Sequence, residues 1–192
     1  MRPVIPRRLA ALAAAVSVVL LAGCGLSPIA RQDTGSPFYP VPEGSVIDLH
    51  EPVQIRPGVT RAWIQRGEPT GQRFDRYAVS CNFEVRELDY DNAQVIEPGR
   101  FEVRRTQQVR EEVVRKSSPV LLAGMLTLGG MDGDGSAMIH EGYHLWLDNP
   151  DQPDVMRLTC RGAFDDAGDA LPPSIDQIRA ALGPVATLVL AR

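Results

Sequence analysis

Apolar and polar residues alternate with a period of two along most of the chain from Ser45 onward. That period predicts β-strands with one buried face. The clearest stretch is Arg76–Arg86. Tyr77, Val79, Cys81, Phe83 and Val85 fall on one side, and Arg76, Ser80, Asn82, Glu84 and Arg86 on the other. Short apolar runs at Val46–Leu49 and Val53–Ile55, cut by Pro52 and Pro57, predict two more strands, and Val59–Gln65 a third. Glu97-Pro98-Gly99 reads as a turn, after which Phe101 and Val103 resume the alternation. Gln107–Lys116 fits two periods. Val109 and Val113 have helical i, i+4 spacing, yet Val109, Glu111 and Val113 also alternate. The strand is preferred because the residues before it already alternate. Ser136–Leu147 and Val155–Phe164 flank a dense turn cluster, Asp148–Pro153, and predict a β-hairpin.

The C-terminal part changes period. Ile175, Ile178, Ala181 and Leu182 have helical spacing. Ser174 with Gln177 three residues on predicts a capping box, and Gly183-Pro184 predicts the helix end. Val185–Leu190 is a candidate last strand. The expected fold class is α+β: a mainly antiparallel β-sheet, curved or partly closed, with one C-terminal helix.

The N-terminal segment follows different rules. Arg2, Arg7 and Arg8 precede an almost wholly apolar run, Leu9–Leu21. A spanning helix needs about 20 apolar residues, so this run is too short to cross a membrane and fits the core of an export signal. It ends in Leu21-Ala22-Gly23-Cys24. These residues resemble the lipobox of bacterial lipoproteins; an ordinary secretory signal ending near a cysteine is the alternative. The resemblance implies cleavage before Cys24, lipid attachment to that cysteine and a membrane as partner. Gly25 stands where an inner-membrane lipoprotein usually carries aspartate, which implies an outer-membrane location facing the periplasm. The expected organisation is a signal over 1–23, a Pro/Gly-rich tether over 24–44 and one domain over 45–192. Phe38 and Tyr39 are candidates for a strap packed on that domain.

Loss of the signal removes three arginines. The 20 basic residues become 17 against 24 acidic ones, and the net charge moves from −4 to −7. Such a domain is a poor general binder of nucleic acid. Two cysteines remain, Cys81 and Cys160. In an oxidising compartment they are expected to pair, since each lies on the apolar side of its strand; two buried free thiols are the alternative.

His140-Glu141-Gly142-Tyr143-His144 carries the sharpest chemical signal, a literal H-E-x-x-H. On a helix, His140 and His144 would face one zinc ion with Glu141 as general base. The segment alternates like a strand, however, and residues four apart on a strand lie about 13 Å from each other. Gly142 weakens a helix, and no His or Glu follows His144 as third ligand, leaving only an aspartate such as Asp148 or Asp165. Asp132-Gly133-Asp134-Gly135-Ser136 opens like a calcium loop, but Ala137 and Tyr143 replace the glycine and glutamate an EF-hand needs. Val120–Leu128 is an apolar run that reads as core or as a contact loop. Arg76, Arg86, Arg104, Arg110 and Arg115 interleave with Glu84, Glu102, Glu111 and Glu112. Cross-strand ion pairs on a solvated face account for them; an anionic glycan or lipid headgroup is the functional alternative.

No nucleophile motif and no phosphate-binding glycine loop is present, and no cofactor is expected. The expectation is a membrane-anchored envelope lipoprotein with a non-catalytic binding or structural role, its partner an envelope protein or component. The alternatives are a tethered zinc hydrolase using His140, Glu141 and His144, and a carrier of a lipid or glycan.

Overall fold

The computed structural model describes residues 33–71, 75–114 and 137–191. Cys24, the Val120–Leu128 run and the Asp132–Ser136 loop lie outside the described residues. The elements are β1 (Val46–Leu49), β2 (Val53–Ile55), β3 (Arg61–Gln65), β4 (Glu68–Thr70), β5 (Ser80–Val85), β6 (Gln94–Ile96), β7 (Gly99–Val114), β8 (Met138–Asp148), β9 (Val155–Arg161), β10 (Asp165–Asp166), α1 (Ile175–Leu182) and β11 (Ala186–Val189). Gln107–Val114 is strand, as the preceding alternation requires.

The sheet is antiparallel and curled, in the order β11-β1-β7-β8-β9-β5-β3-β4, with β10 paired to β8 and a separate β2-β6 pair. The expected β8–β9 hairpin is present. Only α1, eight residues long, is helical among the described residues, so the fold is mainly β and fits α+β loosely. Ser174 caps α1 as predicted: its hydroxyl accepts from the Gln177 N–H, and the Gln177 side chain accepts from the Ser174 N–H. Such a cap contributes about 1 kcal/mol.

One face of the sheet carries the apolar core. Phe83, Phe101, Ile64, Leu145 and Leu158 are fully buried there, and Ile175, Ile178 and Leu182 of α1 join the same cluster. Cys81 and Cys160 stand directly opposite each other on β5 and β9 and are bonded, with Cα atoms 4.0 Å apart. The link closes a loop with a sequence separation of 79. In the chain-entropy model it stabilises the fold by about 4.5 kcal/mol.

The structure differs from the sequence pattern in three places. β5 starts at Ser80 rather than Arg76, because the buried Gln65 side chain takes the residues before it into a loop. Its amide nitrogen donates to the carbonyls of Asp75, Ala78 and Val79, and its oxygen accepts from the Asp75 N–H. Tyr77, expected in the core, is 70% exposed. β5 is also buried on both faces, not one.

The third difference is a bulge in β7. Val103 pairs with Leu147, but Arg105, not Arg104, pairs with Trp146. The extra residue inverts the side chains from Arg105 to Glu112. Arg104 is left exposed, bonded to Asp148 and Glu102. Arg110 moves to the face that holds Tyr143.

The chain from Asp33 to Gly44, read as part of the tether, is held against the domain. Thr34 accepts from the Asp176 N–H, Pro37 accepts from the Tyr143 hydroxyl at 2.8 Å, and Val41 accepts from the Thr106 hydroxyl at 2.7 Å. Val41 is buried and Tyr39 packs on the core, whereas Phe38 is 72% exposed.

Both sheet edges are blunted. β4 has three residues and contains Pro69. On β11, the carbonyl of Leu188 accepts from the Arg179 guanidinium of α1. That carbonyl points away from β1, since the backbone bond from His50 to Val185 sets the alternation along this pair.

Candidate functional site

His140-Glu141-Gly142-Tyr143-His144 lies inside β8. The strand sends His140 and His144 to one face and Glu141 to the other. The two histidines have separate partners. His140 Nδ1 is 3.0 Å from the Gly162 carbonyl and its ring packs on Phe164. His144 Nδ1 is 2.8 Å from the Thr159 hydroxyl. Burial lowers the pKa of both, against a partial upward pull on His140 from the Gly162 carbonyl. His144 is lowered to about 4 by burial and then by the nearby charge of Arg157. Glu141 is buried and bonded to Arg110 at 2.6 Å and to Gln108 at 3.1 Å. Gly142 serves packing: a Cβ there would run into the carbonyl of Cys160 on β9. Among the described residues, no three His, Cys, Asp or Glu side chains come together as a metal site. The motif is therefore divided between two faces of a sheet, not gathered around one point.

What the motif leads to is the layer of polar side chains on the face opposite the core. Strand register sets it in rows. One row runs Arg61, Glu84, Arg157, Trp146 and Arg105 across β3, β5, β9, β8 and β7. Glu84 is buried between Arg157 at 2.6 Å and Arg61 at 3.1 Å. Burial by itself would raise its pKa. The hydrogen bond from Arg157 and the charge and hydrogen bond of Arg61 outweigh that and hold it below the usual value. Arg157 and Arg105 both stack on Trp146, 5.3 and 4.8 Å from the ring centroid.

The next row is Trp63, Asn82, Thr159, His144 and Gln107. Asn82 donates to the Thr159 carbonyl, and Gln107 accepts from the Trp146 indole. Arg161 closes the layer. It pairs with Glu111 at 2.7 Å and lies 4.8 Å over the Trp63 ring. Three buried atoms have no hydrogen-bond partner among the described residues: Asn82 Oδ1, Arg161 Nε and Thr70 Oγ1. All three belong to residues next to Trp63: Arg161 stacks on its ring, and Asn82 and Thr70 lie opposite it in register on β5 and β4.

Sequence reading expected Glu84 in cross-strand ion pairs on a solvated face; it is ion-paired, but it is buried and its partners are Arg61 and Arg157, and Arg161 and both tryptophans were missed as part of one assembly. The signal was available in part. Arg157 and Thr159 alternate with Leu158 and Cys160, and Arg61 and Trp63 with Ala62 and Ile64.

Clefts flank the sheet with opposite charge. One, about 750 Å³, lies beside the strap and is lined by Pro37, Tyr77, Leu171, Asp165 and Asp169, without a cationic side chain among the described residues. Two smaller clefts meet at Trp63, with Arg56 and Arg61 and no carboxylate. The geometry provides charged groups already paired, aromatic rings held by arginine, and open recesses at the sheet margins.

No protein-family model, curated protein or solved structure matches this chain.

Proposed function

We propose that the protein is a membrane-anchored envelope lipoprotein with a non-catalytic binding role at the periplasmic face. The observation that carries the reading is the segment Leu9–Cys24, an apolar run ending in Leu21-Ala22-Gly23-Cys24. Two features of the domain are consistent with it. The Cys81–Cys160 disulfide suits an oxidising, exported compartment. The compact unit starts at Asp33, so eight residues, 25–32, separate it from Cys24. A fully extended linker of that length reaches about 30 Å, which would keep the domain close to the bilayer. Lipid on Cys24 would be the anchor; among the described residues no helix is long and apolar enough to cross a membrane.

The partitioning of His140, Glu141 and His144 between two faces supports binding over hydrolysis. Intact mass analysis of the protein from membranes tests the anchor. The expected mass begins at a Cys24 carrying diacylglycerol and an amide-linked acyl chain, and Cys24→Ala abolishes it. A mature chain with unmodified Cys24 overturns the reading. Metal analysis tests the absence of catalysis: stoichiometric zinc lost on His144→Ala, with the fold retained, would establish the hydrolase instead.

A further inference from the structure

Two adjoining clefts open where the chain leaves β2, beside the start of β3 and the end of β4. One encloses about 430 Å³ and the other about 160 Å³, and Arg56, Arg61 and Trp63 line both. Leu88 adds an apolar wall to the larger; Gln54 and Thr70 add polar groups to the smaller. No carboxylate lines either, in a chain whose net charge is −4.

Local charge is unbalanced. Arg61 and Arg157 share the single carboxylate of Glu84. Arg56 is exposed and has no ion pair or hydrogen bond with the described residues. A guanidinium offers five N–H donors, so Arg61 can hold Glu84 and still present donors to the cleft. Gln54 adds a polar group open to the cleft: it is exposed and its side chain has no hydrogen bond with the described residues.

We infer that this double cleft binds a saccharide ring carrying a carboxylate or phosphate group. Arg56 and Arg61 clamp the anion, whose planar or tetrahedral oxygens match the guanidinium fork. The Gln54 side-chain amide, exposed in the smaller cleft, bonds a ring hydroxyl. Trp63 and Leu88 line the cleft with apolar surface for the C–H face of the ring, the usual make-up of a small-molecule site: apolar walls with a few placed polar groups. The inference rests on the reading of the chain as a binding protein but not on its anchor, so the two fail separately.

The test is calorimetric titration of the full chain with four probes: glucuronic acid, glucose 6-phosphate, glucose and inorganic phosphate. Saturable binding of at least one of the two anionic sugars is expected, with glucose and inorganic phosphate at least tenfold weaker. Arg56→Gln weakens the anionic sugar about tenfold; because Arg56 is exposed and unpaired, the variant keeps the parental Tm. Gln54→Ala weakens binding about fivefold at the parental Tm, since Gln54 is exposed. Trp63 and Trp146 are the only tryptophans, so the Trp146→Phe variant lets Trp63 emission report binding alone. No saturable binding of either anionic sugar overturns the inference. So does Arg56→Gln binding as tightly as the parent, or inorganic phosphate binding as tightly as glucose 6-phosphate, which would make the cleft an anion site without a sugar.

Discussion

The two faces of the central sheet are both dry, and they are dry for different reasons. On one, Phe83, Phe101, Leu145 and Leu158 exclude water by burying hydrocarbon against α1. On the other, Asn82, Glu84, Thr159 and Arg161 are as well buried, under a cover of arginines stacked on Trp63 and Trp146. The apolar face needs only shape and volume. The polar face needs each charge to meet its partner, because a buried charge left alone costs far more than a pair contributes. The difference is one of tolerance. The first face degrades in proportion to the volume removed, the second according to which member of a pair is taken.

Substitutions can break this contrast. On the apolar face, Phe83→Ala should cost about 3–5 kcal/mol, read as a lower denaturant midpoint at unchanged slope. On the polar face, Glu84→Gln leaves Arg61 and Arg157 without their carboxylate. It should cost about 3 kcal/mol, whereas replacing Glu84 and Arg157 together by leucine should cost less than the single change. A double variant worse than the single one would show that the charges stabilise the fold and do not merely satisfy each other.

Acid tests the same face without mutation. His144 titrates near 4 in the fold against about 6.5 unfolded. The unfolded chain takes up the proton first, so stability present above pH 6.5 is lost as pH falls toward 4, by about 2–3 kcal/mol. Glu84 acts in the same direction at lower pH, since its pKa is depressed and its contribution disappears as the carboxylate protonates. His144→Gln should flatten the decline between pH 6.5 and 4; an unchanged slope would assign it elsewhere. The smallest effect belongs to the exposed bulge residue. Arg104→Gln should leave the midpoint unchanged within error, because its pairs with Glu102 and Asp148 are solvated.

Much of the apolar face could be read in advance because period two and period 3.6 are local properties. Ile175, Ile178, Ala181 and Leu182 announce α1, and Cys81 and Cys160 announce their bond. The polar face could not be read the same way. Which of Arg61, Arg157 and Arg161 meets Glu84 depends on strand order, and β5 lies between β3 and β9, distant in sequence. The β7 bulge is also invisible to alternation, yet it decides that Arg105 joins Trp146 while Arg110 joins Glu141. The H-E-x-x-H match misleads for the complementary reason: its chemistry presumes a helix, and β8 is a strand whose Gly142 is needed for close approach to β9.

The bond from Arg179 to the Leu188 carbonyl has a consequence beyond the fold. An open strand edge recruits neighbouring chains into a growing ribbon wherever copies meet. Arg179 occupies an acceptor such a neighbour would need on β11, and Pro69 removes a donor from β4 at the other margin. Each margin therefore lacks one of the backbone groups that strand addition would use.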